Sequence, residues 1–435
     1  MKQKLITIVL SLIVTLMPLL VKPNPDYALL KFWVLILGGI ALLILLLASY
    51  RELKIDKRDI ILFVFLTLIF ISALFSSNIF VSILGSTRFH AGFVTFIFFV
   101  CIYLAAKKFF HYEKIEEFLN ILFYSSLFIG IFGILQNYIS IPALSPLFDA
   151  GVCSTFGNSN YFGTYISLIL PASIVLFILK ESKKGFILSS VLFFNLLSSG
   201  TRSAWVSFGV IAILGIIYLV KQKNKVYFKR FGILSICFIA IYLLLMFLPM
   251  GAIVHSKSQS LKSDLDITLG VLLHKDGASS EKFLSTGSGR MDIWRICLNL
   301  VGKKPLFGCG PDNLRFGIVQ NFFWDAFHYA SQHSGSIINN AHNEYLHIAA
   351  TMGIPALIVY LLFLGSILRG KLKYMFQDKV TFTLCLVIIG YLTQALFINY
   401  TLGIAPLFWM ILGLADNPQF KDSLGNLLGE RRYLK

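Results

Sequence analysis

The sequence predicts an all-α polytopic membrane protein of about twelve transmembrane helices, with one large extracytoplasmic loop containing an amphipathic helix. Three observations predict it. The 435 residues are 57% hydrophobic and only 14% charged, with a mean hydropathy of +0.78, whereas a soluble chain carries about a quarter charged residues. Apolar runs long enough to cross a hydrocarbon core of roughly 30 Å recur along the chain. The basic residues are segregated to alternate loops.

The runs fall at roughly 5–21, 29–50, 60–76, 92–106, 117–136, 161–179, 186–199, 203–220, 232–254, 342–368, 380–398 and 402–415. No A-x-A-like cleavage site follows the first, so it reads as an anchored span. Counting from the inside, one set of loops holds Lys2/Lys4, Arg51/Lys54/Lys57/Arg58, Lys107/Lys108/Lys114 and Lys180/Lys183/Lys184. It continues with Lys221 to Arg230, Arg369 to Lys379 and the tail (Lys421, Arg431, Arg432, Lys435), and so takes most of the 38 basic residues. The short loops opposite hold only Lys22, Lys31, Arg88 and Arg202. This is the positive-inside pattern, and it puts both termini in the cytoplasm. The net charge of +17 therefore expresses topology and not nucleic-acid binding.

Four regions follow: residues 1–254 with nine spans, an extracytoplasmic loop at 255–340, three spans in 341–415, and a cytoplasmic tail at 416–435. The first half of the loop is Ser-rich and weakly periodic, and is expected as loop with a short helix or interfacial segment. "SGRMDIWRICLNLVGKK" then reads as an amphipathic helix with Ser288 as N-cap, stopped at Pro305 and followed by the turns of "FGCGPDN". A loop of this length is more often functional than a passive connector.

The tenth run opens on polar chemistry, "AHNEYLHIAATMGIPA". His342 and His347 are five apart, about 140° around a helix, so a zinc site is not expected. His342 is expected in the first turn of its span, capped by Asn339 or Asn340. There the helix dipole disfavours imidazolium and leaves a neutral general base. The alternative is that His342 and Asn343 are ordinary interfacial residues. Arg202, Arg88 and Arg290 lie outside with few acids in the short links to pair with them, which suits a guanidinium clamp on phosphate. Arg290 also opens a helix, where N–H groups favour anions. Asp264 and Asp266 read as solvated, and Asn158 and Asn160 as a cap or a ligand contact. The six cysteines form no C-x-x-C pair. A bridge among the outward Cys153, Cys297 and Cys309 stays open.

In this order the motifs resemble the O-antigen ligase/O-antigen polymerase superfamily of membrane glycosyltransferases. "HNEYLHIAATMGIPA" is similar to its His–polar–nine–Gly signature. "GSGRMDIWRICLNLVGKKPLFGCGPDN" is similar to its loop segment, with Arg290, then Trp294, then a Pro–x–x–Gly–x–Gly turn. "TFGNSNYFGTYISLILP" and "SSGTRSAW" resemble two mid-chain motifs, and the match spans 85–360. One departure is Ala356, where many members have a second Gly. The resemblance implies a GT-C-like plan and transfer of a glycan from an undecaprenyl-diphosphate carrier to a hydroxyl acceptor at the outer face of the cytoplasmic membrane. It implies no metal and no other cofactor. It gives His342 the role of deprotonating the acceptor. Arg290 and Arg202 would hold the diphosphate, with Arg88 beside them, and Asn160 and Asn343 are possible ligand contacts. Ligation, polymerisation of carrier-linked repeats and protein O-glycosylation all remain within this class. A lipid-linked-glycan flippase is the non-enzyme alternative, but transporters place ionisable groups near the midplane.

Overall fold

The computed structural model describes residues 2–21, 28–139, 152–248, 250–273, 280–333 and 335–428. Lys22, Asp26, Arg431, Arg432 and Lys435 lie outside the described residues. The described chain is helical throughout, without a strand. Among the described residues, seven helices are long and apolar enough to cross a membrane: Lys2–Leu19, Leu29–Ala48, Tyr112–Leu135, Ser159–Lys180, Arg202–Gln222, Lys225–Met246 and Ile354–Leu372. Lys379–Ala395 and Ala405–Ala415 are apolar but shorter. An all-α polytopic membrane protein is thus what the chain builds, while the count of twelve spans is not established by helix length.

The burial pattern follows from a bilayer as solvent. Lys225–Met246 fully buries only Leu234 and Leu245, and Leu37, Phe80 and Phe247 are exposed apolar side chains, as lipid-facing positions should be. The central layer is different. Ser159–Lys180 buries most of its side chains, packed between Lys183–Ser198 and Lys379–Ala395. Ala405–Ala415 packs along Phe93–Phe109. Where the basic loops meet the bundle, Lys107 bonds Asp56 (2.6 Å), Asp59 (2.8 Å) and Asp416 (3.0 Å). Arg58 also bonds Asp416, and the Tyr103 hydroxyl donates to it at 2.8 Å. A buried cation shared among carboxylates is the arrangement that offsets its own desolvation.

Two expectations about the loop change. Its first half is not mainly irregular: Gly251–Leu272 is a continuous helix that packs on Ser280–Lys303. The tenth run is not one helix either. It breaks at Gly353, which has φ 94°, between Glu344–Met352 and Ile354–Leu372. A side chain at Gly353 would run into the Leu306 carbonyl, and Ile354 N–H donates to Pro305 O at 2.8 Å. The Pro305 turn thus docks in the break. Ala356, the departure from the second Gly, is fully buried there, so its methyl fits.

Candidate active site

His342 is not in the first turn of its helix. Asn343 is the cap, its side chain accepting from Leu346 N–H at 3.0 Å, while its own N–H donates to Asn399 Oδ1 at 3.1 Å. Neither Asn339 nor Asn340 caps, because the Asn343 oxygen already serves the first free N–H groups. His342 precedes the helix with φ 46°, a left-handed conformation rare outside glycine. Asn340 Oδ1 holds its N–H at 2.8 Å. Strain of this kind in a polar residue is a mark of functional sites. The ring is half-buried, and Nδ1 is buried without a hydrogen bond among the described residues, so the open side of the ring is Nε2. Burial first, then the charges of Arg290 and Arg88, lower its pKa to about 4. The imidazole is neutral at pH 7, through burial and neighbouring cations rather than through a place in the first helical turn.

Arg290 starts the regular part of its helix, after a corner in which Gly287, Ser288 and Gly289 all have positive φ. Ser288, expected as N-cap, is left-handed and exposed. Its hydroxyl instead accepts from Arg202 Nη2 at 2.8 Å. Trp294, one turn on, donates its indole N–H to Ala341 O at 2.9 Å. The four-residue spacing from Arg290 therefore ties the Arg290 helix to the peptide preceding His342. Arg290 itself has no hydrogen bond or ion pair among the described residues. Burial, then the nearby Arg202, lowers its pKa to about 10, so it stays cationic at neutral pH.

Arg202 does have a carboxylate partner, contrary to the reading of the short links. Asp264, expected to be solvated, accepts from Arg202 Nη1 at 2.5 Å and from Gly287 N–H at 3.0 Å. Ser260 Oγ adds a contact at 2.9 Å. The acid came from the long loop, which folds back as a helix over the bundle. Arg202 is thereby fixed against the corner that leads into Arg290.

Arg88 is exposed on a loop whose shape is set by Asp312. The Asp312 carboxylate accepts from Ser86 N–H at 2.6 Å and Ala91 N–H at 3.1 Å, bracketing Arg88. Burial raises its pKa to about 6 against those two bonds. The neighbouring Asn313 donates to Ser82 Oγ at 2.5 Å and Asn78 O at 3.1 Å. Cys309 and Gly310 N–H donate to Ala350 O (3.1 Å) and Thr351 O (2.7 Å) of the helix after His342. The "GCGPDN" turn therefore clamps together the Arg88 loop, the Arg290 helix that it continues, and the His342 helix. Sequence reading took it as a plain turn. Its signal was there, an Asp-Asn pair after two glycines, but not its partners.

The remaining candidates divide. Asn343 serves as a cap rather than as a free ligand group. Asn160 lies in the first turn of Ser159–Lys180, its N–H bonded to Asn158 Oδ1 at 2.9 Å, and no hydrogen bond joins its side chain to His342 among the described residues. His347 is buried, with its ring edge on Tyr400. No group of three metal-binding side chains occurs among the described residues. All six cysteines are free thiols. What does converge is a neutral imidazole beside a guanidinium without a partner among the described residues, with two more arginines about them. Such a set can accept a proton and hold a leaving group that carries negative charge.

No curated protein matches this chain. Residues 185–361, which include Arg202, Arg290 and His342, match the family model described as O-antigen ligase, and this match supports the O-antigen ligase/polymerase superfamily.

Proposed function

We propose that the chain transfers a glycan from an undecaprenyl-diphosphate carrier to a hydroxyl acceptor at the outer face of the bacterial cytoplasmic membrane, with inversion and without a metal. The family supports an O-antigen ligase or polymerase type of function in general. The single observation that supports the finer reading is Arg290, without an ion-pair partner among the described residues, on a helix tied through Trp294 to the peptide before His342 and near Arg202. The acceptor oxygen attacks the anomeric carbon and its proton goes to His342 Nε2. The bond from that carbon to the diphosphate breaks, and its electron pair leaves on the diphosphate oxygen. Arg290 and Arg202 face the charge that grows there, in a site where fixed cations act more strongly than in water. Ligation, polymerisation and protein O-glycosylation share this step and differ only in the acceptor.

The test is transfer by the purified protein, with a lipid-diphosphate glycan as donor and EDTA present. His342→Ala and Arg290→Ala should each lower turnover by about 100-fold or more. Full activity of either variant removes the assigned role, and loss of parental activity in EDTA removes metal independence. Movement of labelled carrier between leaflets with no new glycosidic bond makes the protein a flippase.

A further inference from the structure

Lys31 is the least expected charge in the bundle. It is the third residue of the apolar helix Leu29–Ala48 and is 4% exposed. Its ammonium donates to Thr155 O at 3.2 Å and lies 4.8 Å from the centre of the Phe156 ring. An ammonium has three donors, and no carboxylate meets this one among the described residues. A buried cation left this way is costly, and in a membrane protein it marks a site.

Lys31 lines a small cavity with Arg88, Phe156, Tyr400 and Thr401. The Tyr400 hydroxyl and Thr401 Oγ1 are both buried and lack hydrogen-bond partners among the described residues. The cavity therefore offers two cations and two unused hydroxyls, and no acid lines it among the described residues. A second cavity shares Phe89, Tyr161 and Tyr400 with the first and reaches Asn340 and Asn399. Those two asparagines hold the N–H groups of His342 and Asn343. Each cavity has a volume of ≈ 20 Å³, about the room of one water as it stands, so an anionic group enters only as the exposed Arg88 side chain swings aside. Asp312 borders only the second, with its carboxylate already engaged by Ser86 and Ala91. Neither Arg290 nor Arg202 borders either.

We infer that this groove is an acceptor subsite, in which Lys31 and Arg88 bind an anionic substituent, a phosphate or a carboxylate, on the sugar that presents its hydroxyl to His342. The inference rests on the transferase reading above. The donor diphosphate belongs to Arg290 and Arg202. The two adjoining cavities run from Asn340, which holds the His342 N–H, to a separate pair of cations, so a second negative group is matched there. The aromatic side chains Phe89, Tyr161 and Tyr400 along the way suit the apolar face of a sugar ring. Charge recognition at a buried ammonium would make the enzyme discriminate against neutral acceptors.

The test measures binding of three matched decyl disaccharides to the full chain in nanodiscs: one with a phosphate monoester, one with a uronic carboxylate, one with neither. The wild-type protein should bind one charged compound about tenfold or more tighter than the neutral one, a gap typical of a charge-assisted pair. The tighter of the two identifies the source of the charge. Lys31→Met and the exposed-site variant Arg88→Gln should each reduce that gap about tenfold. Lys31→Met should also melt no lower than wild type, since it removes an unpaired buried charge. Equal binding of all three compounds, absence of binding by any, or a gap that survives both substitutions overturns the subsite. Failure of the transferase reading shows separately, in full turnover by His342→Ala.

Discussion

Replacing Asp312 with Ala removes one carboxylate oxygen that accepts two backbone N–H groups, Ser86 at 2.6 Å and Ala91 at 3.1 Å. Both donors lie at the ends of the segment that carries Arg88. Leaving a buried donor unpaired costs about 1–3 kcal/mol, so the loop loses roughly 2–6 kcal/mol, less whatever water restores. Each 1.4 kcal/mol is a factor of ten in the population of the formed loop. If Arg88 must be in place for turnover, Asp312→Ala should lower kcat/KM by about 30-fold or more. Asp312→Asn keeps an oxygen at the same position and loses only the charge assistance, about half the strength of each bond. It should recover a large part of that loss. The assay is initial-rate transfer at saturating donor with varied acceptor, alongside limited proteolysis of the loop. Wild-type efficiency in Asp312→Ala, or equal losses in the two variants, refutes the clamp.

The His342 pKa of about 4 makes the pH profile diagnostic. An ordinary imidazole near 6.5 would give an acid limb in kcat/KM there, whereas here the limb should lie near 4, and a limb near 6.5 in the wild type contradicts the assignment. Arg290→Gln should move it upward, because it removes a charge that disfavours imidazolium. The stability sign follows: between pH 6.5 and about 4 the unfolded chain takes up a proton that the folded chain refuses. The histidine's contribution is therefore complete above 6.5 and lost as pH falls towards 4. Gly353→Ala meets the Leu306 carbonyl at a backbone φ of 94° and should destabilise by about 3 kcal/mol or more, read as a fall in Tm; a change within about 0.5 kcal/mol refutes the docked turn. The Glu344 carboxylate is held by Tyr360 OH at 2.6 Å and Tyr391 OH at 2.9 Å. Either Tyr→Phe change should cost about 1.5–3 kcal/mol, and a double-mutant cycle on thermal unfolding should show coupling; strict additivity argues against a shared carboxylate.

How much of the site was legible depends on the range of the interactions. His342, Arg290 and Arg202 could be named because each is a polar residue at the edge of an apolar run, where lipid makes such residues stand out. The four-residue step from Arg290 to Trp294 was visible too, though not that the indole holds Ala341. Asp264 was passed over because its partner Arg202 is 62 positions away, and a Ser-rich stretch gave no sign that it would fold back as a helix. Asp312 was passed over for the same reason, its donors being more than two hundred residues distant. Lys31 was counted as a loop cation near a span, because burial of a single side chain leaves no local pattern.

By itself the sequence determined that this chain is an all-α membrane protein, and which of its segments carry the superfamily's motifs. Both are set locally, by the transfer free energy of about twenty consecutive side chains and by short spacings along a helix. Only the tertiary structure decided the caps, the break at Gly353, the partner of Arg202, and the cavities that bring Lys31, Arg88 and Asn340 near Tyr400. Each depends on which distant group reaches a particular oxygen or N–H first, and hydrogen-bond geometry of that kind is fixed only when the helices pack.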